Sequence, residues 1–332
     1  MSALARLSRS YAIHGVGVEV AAPDAAVIDA IDFRLRPFST RDAQVAELRV
    51  EFIDAGQNDD GSWGRAAAVG RPVYDTPHGS LYYFQALDVL EGELAGVHLH
   101  CEPARGRAVV RSHAFRGREL YFATHPVATI ALMELMERRG RFSLHAACLA
   151  SPDGGGVLLA GPSGAGKSTL ALALARAGLG FLTDDIVFLR YPDGGDGAIE
   201  ALGFADAVGL GTFAADRFPE LRWRMAEPPP AGFPKRLHRI EDMFGRPGVT
   251  RCEPRAIVFP AVAAGRRSEI APLDRGDALL RLVPDVLLTE PTATQAHLGA
   301  IATLLDQVSC FTLRLGADLE RAAEMVSALL SG

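Results

Sequence analysis

Lysine is nearly missing from this chain. Of its 34 lysines and arginines only Lys167 and Lys235 are lysine, so the need for positive charge is otherwise met by arginine. No apolar run reaches the roughly 20 residues that span a bilayer as a helix. The most apolar helix-like stretch, 170–182, is short and carries Arg176. The opening Met-Ser-Ala-Leu-Ala-Arg lacks a basic-then-apolar secretory pattern, so the expectation is a cytoplasmic protein with no membrane partner. Cysteine is sparse as well. Cys101, Cys148, Cys252 and Cys310 are scattered, which argues against a disulfide framework and fits buried thiols. A net charge of −6 gives no bulk attraction for nucleic acid, and none is expected as a partner. What remains is a 332-residue chain, 48% hydrophobic and 22% charged, with room for two domains with cores of their own.

The most informative stretch is 156–169, Gly-Val-Leu-Leu-Ala-Gly-Pro-Ser-Gly-Ala-Gly-Lys-Ser-Thr, which holds the full Gly-x4-Gly-Lys-Ser phosphate-loop pattern from Gly161 to Ser168. An apolar run suited to a buried strand precedes it and a helical pattern follows, the context such a loop requires. Gly161, Pro162, Ser163, Gly164, Ala165, Gly166, Lys167, Ser168 and Thr169 are therefore read as a nucleoside triphosphate site. Glycines let the backbone curl so that amide groups at a helix N-terminus point at phosphate oxygens. Lys167 would neutralise the outer phosphates, and Ser168 would place its hydroxyl on Mg2+. ATP and Mg2+ are the implied cofactors. One of the two lysines falling here points to geometry, since the broad guanidinium of arginine would not fit the same cradle.

Residues 1–125 read as a β-rich region, with strand-like segments at 16–20, 31–35, 48–53, 81–87, 97–101 and 108–112 separated by turn residues. Residues 126–332 read as the catalytic domain. A helix is expected over 127–139, with Glu134, Glu137, Arg138 and Arg139 on its wetter face, and a strand over 142–150. The phosphate loop follows, then a helix over 167–177 closed by Gly178, and a strand from Phe181. This order is α/β architecture, with the ligand beyond the carboxyl ends of the parallel strands.

Asp184, seventeen residues after Lys167, and Asp185 next to it come where the strand from Phe181 should reach the phosphate edge of the sheet. Between apolar neighbours two carboxylates are costly without a use. One could hold the Mg2+ shell and the other accept a proton from an attacking hydroxyl. His145 lies on the preceding strand, where a core histidine bonded to a carbonyl is the plain alternative. His98, His100 and Cys101 suggest zinc, though strand alternation is the plainer cause. Lys235-Arg236-Leu237-His238-Arg239, after a proline-rich stretch, is either a mobile arm closing on phosphate or a solvated surface.

Leu144-His145-Ala146-Ala147, the loop Gly161 to Thr169 and Thr183-Asp184-Asp185 together resemble the catalytic core of the HPr kinase/phosphorylase family over residues 142–190. The resemblance implies a P-loop core of the phosphoenolpyruvate-carboxykinase type, preceded here by the β-rich region. It implies that His145 helps arrange the phosphates, that Asp184 is the base toward a protein serine hydroxyl with Asp185 beside it, and that Glu200 keeps a magnesium role. Leu202 stands where the family carries an arginine after that glutamate, so HPr itself is a poorer expectation than another acceptor. The expected function is ATP- and Mg-dependent transfer of a phosphoryl group to a serine or threonine hydroxyl of a protein or peptide, with the β-rich region available for acceptor recognition. A nucleotide-dependent switch or ATPase and an authentic HPr kinase/phosphorylase are the alternatives, and a homo-oligomer stays open. The chain has neither the Leu-Ser-Gly-Gly signature of transporter motors nor the guanine-reading Asn-Lys-x-Asp.

Overall fold

Tyr11, Ile13, Val16, Val18 and Val20 are buried on alternate positions, the pattern of strands with one face against a core. They open an eight-stranded sheet in the computed structural model, which describes residues 6–40, 46–55, 71–192, 197–204, 207–210, 217–221, 236–265, 267–286 and 289–331. The described residues form two compact units. One comprises 6–141 and 289–294, the other the remaining described residues from 142 onward.

The first unit holds β1 (Leu7–Ile13), β2 (Val16–Ala22), β3 (Leu48–Asp54), β4 (Arg71–Thr76), β5 (Gly79–Phe84), β6 (Val89–Leu94), β7 (Val97–Glu102) and β8 (Arg107–Ser112). Their order in the sheet is β1-β2-β3-β8-β7-β6-β5-β4. Two-residue turns join β1 to β2 and β6 to β7, and both residues of each take positive φ: His14 48° and Gly15 85°, Ala95 53° and Gly96 82°. Such turns match the twist of the strands they connect. β2 and β3 are parallel, and α1 (Ala25–Leu35) makes the crossover between them.

Residues 31–35, read from sequence as a strand, are the second half of α1. Asp24 caps this helix by accepting from Ala26 N at 2.8 Å. Val27, Ile28, Ile31 and Leu35 then recur at steps of one, three and four and bury a helical face. Further on, α2 (Gly117–Phe122), a wide turn at Ala123–Val127 and α3 (Ala128–Glu137) run in series, with Pro126 inside the wide turn. A residue without an N–H is tolerated where the regular bond pattern is already interrupted. Because α3 packs on β3, β7 and β8, the first unit extends to Arg141 rather than ending at residue 125.

The expected wet face of α3 is also different, since Glu134 and Glu137 are buried. Thr289 Oγ1 donates to Glu134 Oε2 at 2.9 Å, and Arg138 joins Glu137 at 3.5 Å and Asp88 at 2.9 Å. Burial, reinforced by the neighbouring Glu137 charge, pushes the Glu134 carboxyl up to about 8.

The second unit contains β9 (Phe142–Ala150), β10 (Gly155–Ala160), α4 (Lys167–Ala177), β11 (Gly180–Thr183), β12 (Ile186–Arg190), β13 (Glu200–Gly203), β14 (Ala207–Leu210), β15 (Arg236–Arg239), α5 (Ile240–Phe244), β16 (Arg251–Val262), β17 (Glu269–Pro272), α6 (Arg275–Leu282), α7 (Pro291–Gln307) from Gln295 onward, β18 (Ser309–Leu315) and α8 (Leu319–Ala328). β10, β16 and β18 are parallel neighbours, while β9, β12, β13 and β17 pair antiparallel. Side chains alternate between two faces. Ala147, Leu149, Val157, Leu159, Ala256 and Val258 meet α4 and α8, and Ala146, Cys148, Leu158, Ala160, Ile257 and Phe259 meet α6 and α7. Helices on both faces explain why these strands read as unbroken apolar runs. Each fully buried leucine in them contributes about 1.5–3 kcal/mol relative to exposure. The four cysteines are buried thiols. No helix among the described residues is long and apolar enough to cross a membrane.

The ladders also close on themselves. β9 pairs with β12, β12 with β13, β13 with β16, β16 with β10, and β10 with β9 again.

Candidate functional site

β10 ends at Ala160 and α4 begins at Lys167, so the Gly-rich segment is a strand-to-helix turn of the second unit. Gly161, Gly164 and Gly166 have φ of 134°, 84° and 98°, values that side chains disfavour. Gly166 is required twice over. It is the N-cap of α4, and a methyl group there would stand 2.8 Å from Leu315 Cδ2 and 3.3 Å from Val262 Cγ2. Ala165 N donates to Pro162 O at 3.2 Å inside the loop, and Leu170 N to Gly166 O at 2.9 Å closes the first helical turn. The first-turn amides of α4 lie ahead of that bond, with the positive end of the helix dipole.

Lys167 is buried and folds its ammonium back over the loop. Its Nζ donates to Gly161 O and, at 3.4 Å, to Pro162 O. Pro162, Ser163 and Gly164 are exposed, whereas Ser168 and Thr169 are half-buried. The loop thus has an exposed rim, Pro162 to Gly164, and a buried cation at its helix end.

Register places the aspartates opposite this loop. β9 takes β10 along one edge, with Ala160 opposite Ala146 and Leu159 opposite Ala147. Its other edge takes β11 and then β12, with Thr183 opposite Cys148 and Ile186 opposite His145. Asp184 and Asp185 are the two residues between those pairs, and by count they stand across from Ala147 and Ala146. Asp185, in the bend between β11 and β12, therefore falls by count on the level of the paired Ala146 and Ala160, and two strand spacings put the loop about 10 Å from the acid pair. Alanine on the middle strand keeps the intervening surface low.

His145 and Asp185 meet directly, with Nδ1 and Oδ1 2.9 Å apart and both side chains partly exposed. An imidazole Nδ1–H donates to the carboxylate, and the contact becomes an ion pair when the ring is protonated. Asp185 N donates to Thr183 Oγ1 at 3.4 Å, a turn contact that fixes the bend between β11 and β12. Asp184 is half-buried and turns Oδ1 away from solvent. The site thus gathers His145, Lys167, Ser168, Asp184 and Asp185 at one end of one sheet. A cation at the loop and acids across β9 can hold an anion and accept a proton.

Glu200 is not brought there. It opens β13 opposite Arg190, so the antiparallel register sets it four residues, about 13 Å along the strand, from the Ile186 end of β12 where the aspartates are. It is held there by Arg190, with Arg251 Nη1 at 3.9 Å. Glu200, expected to keep a magnesium role, is thus not brought together with the loop and the aspartates.

Lys235 lies outside the described residues. The rest of the basic cluster is no arm: residues 236–239 are strand β15, paired with β14, and His238 is buried. In the first unit, His98 and His100 face Glu93 and Glu91 across the β6–β7 ladder at 3.1 and 3.0 Å, while Cys101 is buried at the next position along the strand. Among the described residues no group of three or more His, Cys, Asp or Glu is arranged to hold a metal.

Val262 and Leu315, which flank Gly166, were not singled out from sequence. Apolar strand ends carry no local mark, and only the parallel pairing of β16 with β18 brings them to the loop.

No protein-family model matches the chain, and no curated protein is similar to it. Among solved structures it is similar to the Hpr(Ser) kinase/phosphatase from Coxiella burnetii, at 14% identity over 57% of this chain and 88% of that one, with a TM-score of 0.33. A likeness at that TM-score fixes neither fold nor function.

Proposed function

We propose that the second unit binds Mg-ATP at Gly161–Thr169 and transfers the γ-phosphoryl group to a serine or threonine hydroxyl of a protein or peptide. The observation that carries this reading is the shared level of Ala160, Ala146 and Asp185. Asp184, the proposed proton acceptor, falls one position along, across from Ala147 and Leu159, so the acid pair lies two strand spacings, about 10 Å, from the loop. The triphosphate fits the loop because three glycines hold positive φ and a buried ammonium stands at its helix end.

On this reading Lys167 leaves the loop carbonyls for phosphate oxygens. Asp184 takes the proton of the acceptor hydroxyl as that oxygen bonds to the γ-phosphorus and the bond to the ADP oxygen breaks. His145 holds Asp185 in place beside it. Bound Mg2+ would neutralise charge on the β- and γ-phosphates, and Ser168 is the side chain available to it, an ion that ordinarily takes few protein ligands. Positioning and charge neutralisation supply most of what phosphoryl transfer requires. Leu202 in place of the family's arginine favours an acceptor other than HPr, and the first unit is assigned to recognising it.

Incubation with γ-labelled ATP, Mg2+ and candidate acceptors tests the proposal, comparing the natural protein with Asp184→Asn. Transfer is expected to fall by roughly 100-fold or more in the variant. Undiminished transfer would remove Asp184 as the base. ATP binding without transfer to any acceptor would favour the nucleotide switch.

A further inference from the structure

The phosphate loop has two unlike flanks. On the β9 side stand His145 and the aspartates; on the other, β16 and β18 run parallel to β10 and continue past its end. Leu159 pairs with Val258, so β16 overhangs Ala160 by three residues, about 10 Å of strand. Leu315 pairs with Val262 at the top of this overhang. Both side chains reach the last glycine of the loop, but they differ in burial. Leu315 is 5% exposed, whereas Val262 is 64% exposed and brings a methyl group to the helix end of the loop.

The segments beyond these strands are pinned together. Ala263 N donates to Leu315 O at 2.9 Å, Ser268 N and Oγ donate to Asp318 Oδ1 at 2.7 and 2.6 Å, and Gly316 N donates to Ser268 Oγ at 3.0 Å. The overhang is therefore a braced ledge with an apolar top.

We infer that Val262 is the contact for the nucleoside of the bound triphosphate. This rests on the nucleotide reading of the loop given above. The reacting end of the triphosphate must face the aspartates, so its other end leaves the loop over β16 and β18. A base or ribose laid across Val262 covers the apolar surface that is otherwise left in water.

Calorimetric titration with ATP and with inorganic tripolyphosphate, each with Mg2+, separates this inference from the reading beneath it. Val262→Ala is suitable because the side chain is exposed at a strand end and its loss leaves the core intact. The variant is expected to bind ATP about fivefold more weakly than the natural protein and tripolyphosphate equally well. Unchanged affinity for both ligands would overturn the contact, and so would an equal loss for both, which would mean that Val262 shapes the loop itself. If the natural protein bound neither ligand, the phosphate-loop reading would fail first and take the inference with it.

Discussion

The Lys167 ammonium rests on carbonyls of the loop it belongs to, and this contact uses a compact charge with rotatable donors. A guanidinium in that buried position would have to direct its planar fork past the same carbonyls. Lys167→Arg, conservative by charge, is therefore expected to cut phosphoryl transfer by about 100-fold, close to the loss from Lys167→Ala. Single-turnover assays of the two variants check this, and an arginine variant with near-natural rate would contradict it. In the proposed mechanism His145 acts on the same scale, as a positioning residue. Its Nδ1 meets Asp185 Oδ1 at 2.9 Å.

At the scale of elements, the loop depends on Gly166 more than on its other glycines. A methyl group there meets Leu315 and Val262 and also forces a side chain to φ of 98°. Gly166→Ala should lower stability by about 1–3 kcal/mol and abolish ATP binding together, whereas Gly164→Ala, with open space around it, should cost less. Chemical denaturation and ATP titration of both variants would reveal whether the order is reversed.

Elements with strong local signals were legible in the sequence. Strand 142–150 and helix 167–177 have the bounds expected, because an apolar run between turn residues and a Gly-closed helical pattern are local properties. Residues 31–35 misled because Ile31, Phe33 and Leu35 alternate over a stretch too short to tell a period of two from one of 3.6. The position of Glu200 was not legible, for a different reason. Its distance from the aspartates is set by the β12–β13 register, which no spacing along the chain encodes. Glu134 was misjudged because the groups that enclose it, Thr289 among them, are remote in sequence. His145 and the aspartate pair were legible as residue types, but their contact follows from the ladders of β9.

For the molecule as a whole, the buried carboxyl of Glu134 gives folding a pH dependence. An unfolded chain releases this proton near pH 4.3, and the folded protein near 8. Between those values the folded state binds the extra proton, so stability is greatest below the window and declines as pH rises through it. Glu134→Gln keeps the acceptor for Thr289 and removes the titration. Its melting temperature should exceed that of the natural protein at pH 9, by roughly 5 °C, and approach it near pH 5. Parallel melting curves at all pH values would show that Glu134 does not control this slope.

The closed circuit of β9, β12, β13, β16 and β10 has a mechanical consequence for the chemistry. In an open sheet, one strand can slip by two residues along a single neighbour and keep its faces correct. Here a slip at any ladder has to be matched around the whole ring. The levels of Ala160 on β10 and of Ile186 on β12 against β9 are thus locked by five ladders at once, and these are the strand ends that carry the Gly-rich loop and the bend holding Asp184 and Asp185.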